Sequence, residues 1–242
     1  GETMTSDPRL IAALDFPTAD AAQQAVEEIG DAVEYYKVGM ELYYAVGNEM
    51  IRYLKERKKK VFLDLKLQDI PNTVAGALKV LTGLGVDLIN VHAVGGEKMM
   101  AVAAEAIKNK AAELGVGRPQ LLAVTILTSM DEAQFAALNY NNTIAEQVVA
   151  LAKLAQKAGL DGVVASPQEA AAIREACGPD FLIVTPGVRP AGSATDDQSR
   201  IATPAQAFSA GATHIVVGRP IMKAKDRKAA ATAIVDEIKN VG

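Results

Sequence analysis

Eight short apolar, β-prone runs, each followed by a longer stretch, set the strongest limit on what this chain can fold into. The runs are RLIAALD (9–15), YYKVGM (35–40), KVFLDLK (60–66), DLINVHA (87–93), QLLAVTIL (120–127), GVVAS (162–166), FLIVTPG (181–187) and THIVVG (213–218). They are continuously apolar rather than alternating, the pattern of parallel strands covered by helices on both faces. Segments of helical period lie between them, among them TADAAQQAVEEIGDA, NTVAGALKVLTGLG, EKMMAVAAEAIKNKAAELG and NTIAEQVVALAKLAQKAG. PQEAAAIREACG, TPAQAFSAG and DRKAAATAIVDEIKN continue the series, and several open on Asp, Asn, Ser or Thr and close on Gly. Eight βα units in 242 residues predict an α/β fold, one (β/α)8 barrel domain spanning 1–242. Residues 1–3, before Met4, are set aside as compatible with an expression remnant. A doubly wound open sheet is the alternative. It would usually carry a Gly-rich turn after its first strand, where this chain has Asp15-Phe16-Pro17.

Half of the residues are hydrophobic and the formal net charge is −4, so the core can be large without a disulfide or metal staple. One cysteine, Cys177, cannot form an intrachain bridge, which fits a reducing compartment. The acidic balance argues against nucleic acid or an anionic membrane as the main partner, while leaving room for a local basic pocket. No run reaches the roughly 18 apolar residues of a transmembrane helix, and the N-terminus lacks the apolar core of a signal peptide. The expectation is a cytoplasmic protein.

In a (β/α)8 barrel the active site lies at the C-terminal ends of the strands, so polar residues there are candidates. They are Asp15, Lys37, Asp64, Lys66, His92, Thr125, Thr128, Ser166, Thr185 and the Gly218-Arg219 pair. Isolated Thr185, Ser166 and His92 read more simply as caps or polar barrel layers. Asp64 and Lys66 resist that explanation. Period-two geometry predicts both on one face, and a buried ion pair gives little net stability. Lys37 and Asp69 add two further charges to the same rim. GRP (218–220) after the last strand and GVRP (187–190) after the seventh place Arg219 and Arg189 at the usual phosphate corner of a barrel. The Gly/Ser/Asp-rich stretch 189–199 is long for a connection in a compact domain, and such loops are more often functional than idle. A phosphorylated small substrate is therefore expected.

The chain resembles the orotidine 5′-monophosphate decarboxylase family in its bacterial form. ALDF (13–16), YYKVGM (35–40), FLDLKLQDIPNTV (62–74), NVHAVGG (90–96), AVTILTSM (123–130), DGVVAS (161–166), VTPGVRP (184–190), DDQSR (196–200) and VVGRP (216–220) carry the likeness. The Asp-x-Lys-x-x-Asp array is shared with related sugar-phosphate decarboxylases and synthases; PNT, LTSM and the Gln198 loop narrow it to the nucleotide enzyme. The resemblance implies Lys66 as the acid delivering a proton to C6 and Asp64 beside the substrate carboxylate. It implies that Asp69 and Thr73 reach the other subunit's site in a homodimer. Asp15 and Lys37 would hold the ribose hydroxyls and the charge network. Thr128, with adjacent Ser129, would meet the pyrimidine edge, and Pro186 would line the base. Gly218 and Arg219 would take the phosphate, with Gln198 and Arg189 on a closing loop. No cofactor and no metal are implied.

The chemistry agrees with those residues. Decarboxylation leaves charge on C6, which a pre-placed cation can stabilise and protonate. Flanking carboxylates favour a charged lysine over the neutral amine a Schiff base would need. A metal-dependent enzyme acting on an acyclic β-keto sugar phosphate is the alternative. Its extra acidic ligand could only be Glu41, which reads better as the start of a helix. A phosphate sensor without chemistry would be expected to have a damaged charge network, and here the network is complete.

Overall fold

The computed structural model describes residues 5–193 and 202–241. Its eight strands are β1 (Leu10–Ala13), β2 (Tyr35–Gly39), β3 (Lys60–Leu67), β4 (Leu88–His92), β5 (Gln120–Val124), β6 (Gly162–Val164), β7 (Leu182–Pro186) and β8 (His214–Val217). Every neighbouring pair is parallel, and β8 returns to β1 to close the barrel. The expected (β/α)8 architecture is therefore the observed one, and the open-sheet alternative is ruled out by the β1–β8 pairing.

Helices α1 (Ala19–Ile29), α2 (Met40–Val46), α3 (Asn48–Glu56), α4 (Pro71–Thr82), α5 (Glu97–Leu114) and α6 (Glu132–Ala137) come first along the chain. They are followed by α7 (Ile144–Lys157), α8 (Pro167–Cys177), α9 (Pro204–Ser209), α10 (Arg219–Met222) and α11 (Arg227–Lys239). Glu41 stands in the first turn of α2, as its sequence position suggested. Short α6 and α10 are too brief to carry a helical period in the sequence. The first is set by a capping box, in which Asp131 accepts from Gln134 N–H and the Gln134 side chain accepts from Asp131 N–H. The same reciprocal device opens α7 at Thr143/Glu146 and α9 at Thr203/Gln206.

Two apolar layers form the core. The larger packs the outer strand faces against the helices. The smaller fills the barrel axis with Ile11, Tyr35, Phe62, Leu88, Leu122, Val184 and Val216. Side chains alternate along a strand, so stepping two residues from this plug toward the C-terminal ends leads from Tyr35 to Lys37, Phe62 to Asp64 and Leu88 to Asn90. The polar mouth is thus the next layer of the same lattice. At the opposite end acids tie strands together. Asp87 accepts from Val61 N–H and pairs with Lys55, and Asp161 accepts from Leu121 N–H while Arg118 clasps it through two nitrogens.

Candidate active site

The charges of β2 and β3 meet at the mouth in a continuous chain. Lys37 Nζ lies 3.5 Å from Asp15 Oδ1 and 3.4 Å from Asp64 Oδ2, and Lys66 Nζ lies 2.8 Å from Asp64 Oδ1. Asp64 is only 6% exposed. Burial pushes its carboxyl upward in pKa, but the Lys37 and Lys66 charges and hydrogen bonds from Lys66 and Asn90 outweigh that and hold it below the usual carboxylate range. Asp64 is therefore an anion between two cations. His92, half-buried at the end of β4, is lowered by burial and by the Lys66 charge, with Asp64 opposing. That keeps it a neutral imidazole near pH 7.

Asp64 and Lys66 are together as expected, but not by a regular pleat. Leu63 pairs with Ile89 and Leu67 with Val91, so four residues of β3 advance against two of β4. Lys66 sits in this bulge with φ +52°, left-handed backbone that a lysine rarely adopts. Its N–H donates to Asn90 Oδ1 at 2.9 Å, and Asn90 Nδ2 donates to Asp64 Oδ1 at 2.8 Å.

Beside the array is a cavity of about 180 Å³ lined by Lys37, Asp64 and Lys66, the loop residues Leu127 and Thr128, Pro186 from β7, and apolar walls from Phe62, Val124, Ile126, Val164 and Val216. Cations and an anion therefore face an apolar slot, the setting in which charge acts most strongly. A hollow of about 630 Å³ between α4 and α5 is larger, but it lies on the outer helical layer and shares no residue with the array. Among the described residues no group of three or more His, Cys, Asp or Glu is placed to hold a metal ion.

The remaining expected residues occupy other places. Asp69 lies past β3, exposed, and accepts from Ile70 N–H at 2.6 Å; the ion pairs joining Lys37, Asp64 and Lys66 do not include it. Within one chain it thus enters none of the ion pairs of the rim network that the sequence suggested; it stands two residues past the end of β3, in the short connection to α4. Thr73 is exposed on α4, near Ile70, which is 65% exposed. Gly218 and exposed Arg219 follow β8, and Arg189 follows the neighbouring β7. Arg189 N–H donates to Ala202 O at 3.0 Å, joining the two ends of the long loop. Gln198 lies outside the described residues.

Thr125 and Thr185 serve the barrel itself, as their hydroxyls donate to the Val164 and His214 carbonyls. Ser166 occupies the N-cap position of α8. Two residues escaped sequence reasoning. Asn90 is buried in an apolar run, and its signal was a lone amide two positions before His92 on the same face. Gly39 ends β2, where a Cβ would stand 3.1 Å from Lys37 Nζ and 3.4 Å from Asp15 Oδ1. Glycine in a strand marks such close approaches.

The closed parallel barrel and the charged slot at its C-terminal mouth define a (β/α)8-barrel enzyme. Residues 8–234 match the Orotidine 5'-phosphate decarboxylase / HUMPS family, and the chain belongs to it. It is 51% identical over 239 residues to the orotidine 5'-phosphate decarboxylase of Moorella thermoacetica, covering 98% of this chain and 95% of that protein. To the Halorhodospira halophila protein of the same name it is 52% identical over 235 residues, 97% of this chain and 98% of that one. The crystal structure of orotidine 5'-phosphate decarboxylase from Lactobacillus acidophilus superposes with a TM-score of 0.85 at 42% identity, covering 96% of this chain and 99% of that one.

Proposed function

We propose that this chain decarboxylates orotidine 5′-monophosphate to uridine 5′-monophosphate in pyrimidine biosynthesis, without a cofactor, with Lys66 protonating C6. The observation that carries the proposal is the ionised Asp64 held between Lys37 and Lys66 beside an apolar slot. The C6–carboxylate bond breaks, carbon dioxide leaves, and the electron pair stays on C6. That carbon has no carbonyl positioned to delocalise the pair well, so a cation already in place lowers the barrier as charge develops. The Lys66 ammonium then gives its proton to C6 and is recharged from water. Asp64 faces the departing carboxylate and orients Lys66, while Lys37 and Asp15 hold the ribose hydroxyls.

Thr128 meets the pyrimidine edge and Pro186 the face of the base, both being cavity walls. The phosphate goes to Arg219 and the Gly218 amide, with Arg189 and Gln198 completing its cover. Ala13 Cβ, at 3.7 Å, is the nearest atom to a Cβ built on Gly218, so packing does not demand glycine there. Close approach of a ligand to the backbone does. A homodimer supplies Asp69 and Thr73 to the partner's site. Their exposure beside apolar Ile70, with Asp69 in none of the ion pairs that join Lys37, Asp64 and Lys66, supports that arrangement. A cytoplasmic location completes the reading and rests on the cysteine usage, one buried and unbridged thiol.

The test is the loss of absorbance of orotidine 5′-monophosphate on adding the protein, with and without a chelator. Turnover that persists in EDTA is expected. No loss of absorbance would overturn the assignment, and abolition by EDTA, restored by a divalent metal, would overturn the cofactor-free chemistry.

A further inference from the structure

Asn90 is completely buried on β4, and both ends of its amide are committed to the charge array. Its oxygen accepts the Lys66 N–H and its nitrogen donates to Asp64 Oδ1. The amide can face only one way, since reversal would set donor against donor and oxygen against carboxylate. Two other non-glycine residues with positive φ, Lys58 and Asn139, follow the ends of α3 and α6, where left-handed turns are ordinary. Lys66 instead adopts φ +52° inside a strand, at the point where the β3–β4 register shifts. Its N–H is taken by a side chain of the neighbouring strand.

We propose that Asn90 is a positioning residue. It holds the Lys66 backbone in its left-handed bulge and pins Asp64 in the same grip, so that β4 aims the ammonium at the reacting carbon. The kinetic part rests on the decarboxylase reading, and the backbone part does not. A buried amide that merely filled space would need neither partner to belong to the array.

The discriminating variant is Asn90→Asp. A carboxylate still accepts the Lys66 N–H but repels Asp64, whereas its protonated form donates an O–H to Asp64 and accepts through its other oxygen. The groups facing this position are Asp64 and Lys66 from β3, Lys37 from β2 through Asp64, and His92 on β4 itself; β5 presents Leu122 in register and brings no charge. Because those groups are common to wild type and variant, the ratio of their kcat values isolates the new carboxyl. Asn90→Ala is expected to lower kcat about 10- to 100-fold with KM changed less than about threefold, as a displaced reacting group does. Asn90→Asp is expected to be as impaired at pH 8 and to recover relative to wild type as pH falls toward 5, with both proteins folded by circular dichroism. A wild-type-like kcat in Asn90→Ala, or a pH-independent ratio in Asn90→Asp, would overturn the proposal. Exchange of the Lys66 amide hydrogen, read by NMR on wild type and Asn90→Ser, needs no turnover. Faster exchange in the variant supports the backbone grip even if orotidine 5′-monophosphate proves not to be the substrate, and unchanged exchange refutes it.

Discussion

Lys66 Nζ lies 2.8 Å from Asp64 Oδ1 although the backbone between the two residues leaves the regular strand, with Lys66 at φ +52°. The contact therefore depends on a bulge and on the amide of Asn90 as well as on attraction between the charges. This separates what the pair does for stability from what it does for chemistry. Asp64 keeps Lys37 and Asn90 as partners when Lys66 is removed, so no uncompensated buried charge is left. Lys66→Ala should thus cost under about 2 kcal/mol in a urea titration while kcat/KM for orotidine 5′-monophosphate falls by at least about 10²- to 10⁴-fold. A stability loss large enough to unfold the variant would contradict the partner argument.

Arg219 is exposed and enters none of the ion pairs among the described residues, which suits a guanidinium kept for a ligand. If remote phosphate binding organises the site, orotidine lacking phosphate should lose more than one charged hydrogen bond is worth, about 1.5–3 kcal/mol. Steady-state comparison should show kcat/KM lower by well over about 10²-fold for the nucleoside. Arg219→Ala should erase most of that difference. Equal efficiency toward the two compounds would remove the phosphate from the proposal.

If, as proposed, two subunits share each site, mixing variants tests it. Lys66→Ala and Asp69→Ala chains are each expected to be inactive alone. After subunit exchange, about half of the chains pair as heterodimers if association is random, and each heterodimer carries one intact site. Activity should reappear on mixing at roughly a quarter of the wild-type level per chain. Exchange demonstrated by mass, with no activity regained, would confine Asp69 to its own subunit.

The lower end of the barrel carries a pH effect on stability that does not involve the active site. His214 begins β8 against Tyr35, and burial, helped by the Lys60 charge, depresses it to about 4. Its unfolded value is about 6.5, so between those limits the unfolded chain binds more protons and stability falls as pH falls. Between pH 7 and pH 5 the loss should reach up to about 2 kcal/mol in denaturant midpoints. His214→Gln should flatten that slope. An unchanged slope would assign the pH sensitivity to other groups.

Two glycines should respond to alanine in opposite ways. At Gly162 a Cβ would overlap the backbone carbonyl of Leu182 across β6 and β7, so Gly162→Ala should cost about 2 kcal/mol or more of stability. At Gly39 the new methyl meets the flexible end of Lys37 and the Asp15 carboxylate. Gly39→Ala should lower kcat/KM about tenfold with a change in the melting temperature of only a few degrees. Equal stability losses at the two sites would show that Gly39 serves packing rather than the array.

The barrel was legible in the sequence because parallel strands buried on both faces leave continuous apolar runs, and because caps such as Thr143 and Thr203 mark helix starts within the chain. Short α6 and α10 were not, since one or two turns carry no period to read. Lys37, Asp64 and Lys66 stood out because charge in such a run is expensive unless it is used. Asn90 and Gly39 did not, because an amide or a glycine in a strand costs little enough to pass for local variation.

By itself the sequence determined the alternation of strands and helices, the strand ends that carry charge, and the family those motifs match. Those properties reside in runs of neighbouring residues. The tertiary structure decided that Lys66 reaches Asp64 through a left-handed bulge held by β4, and that Gly39 clears space where Lys37 meets Asp15 of the β1 end. Each depends on atoms from segments distant in the chain, whose distances are fixed only when the barrel closes.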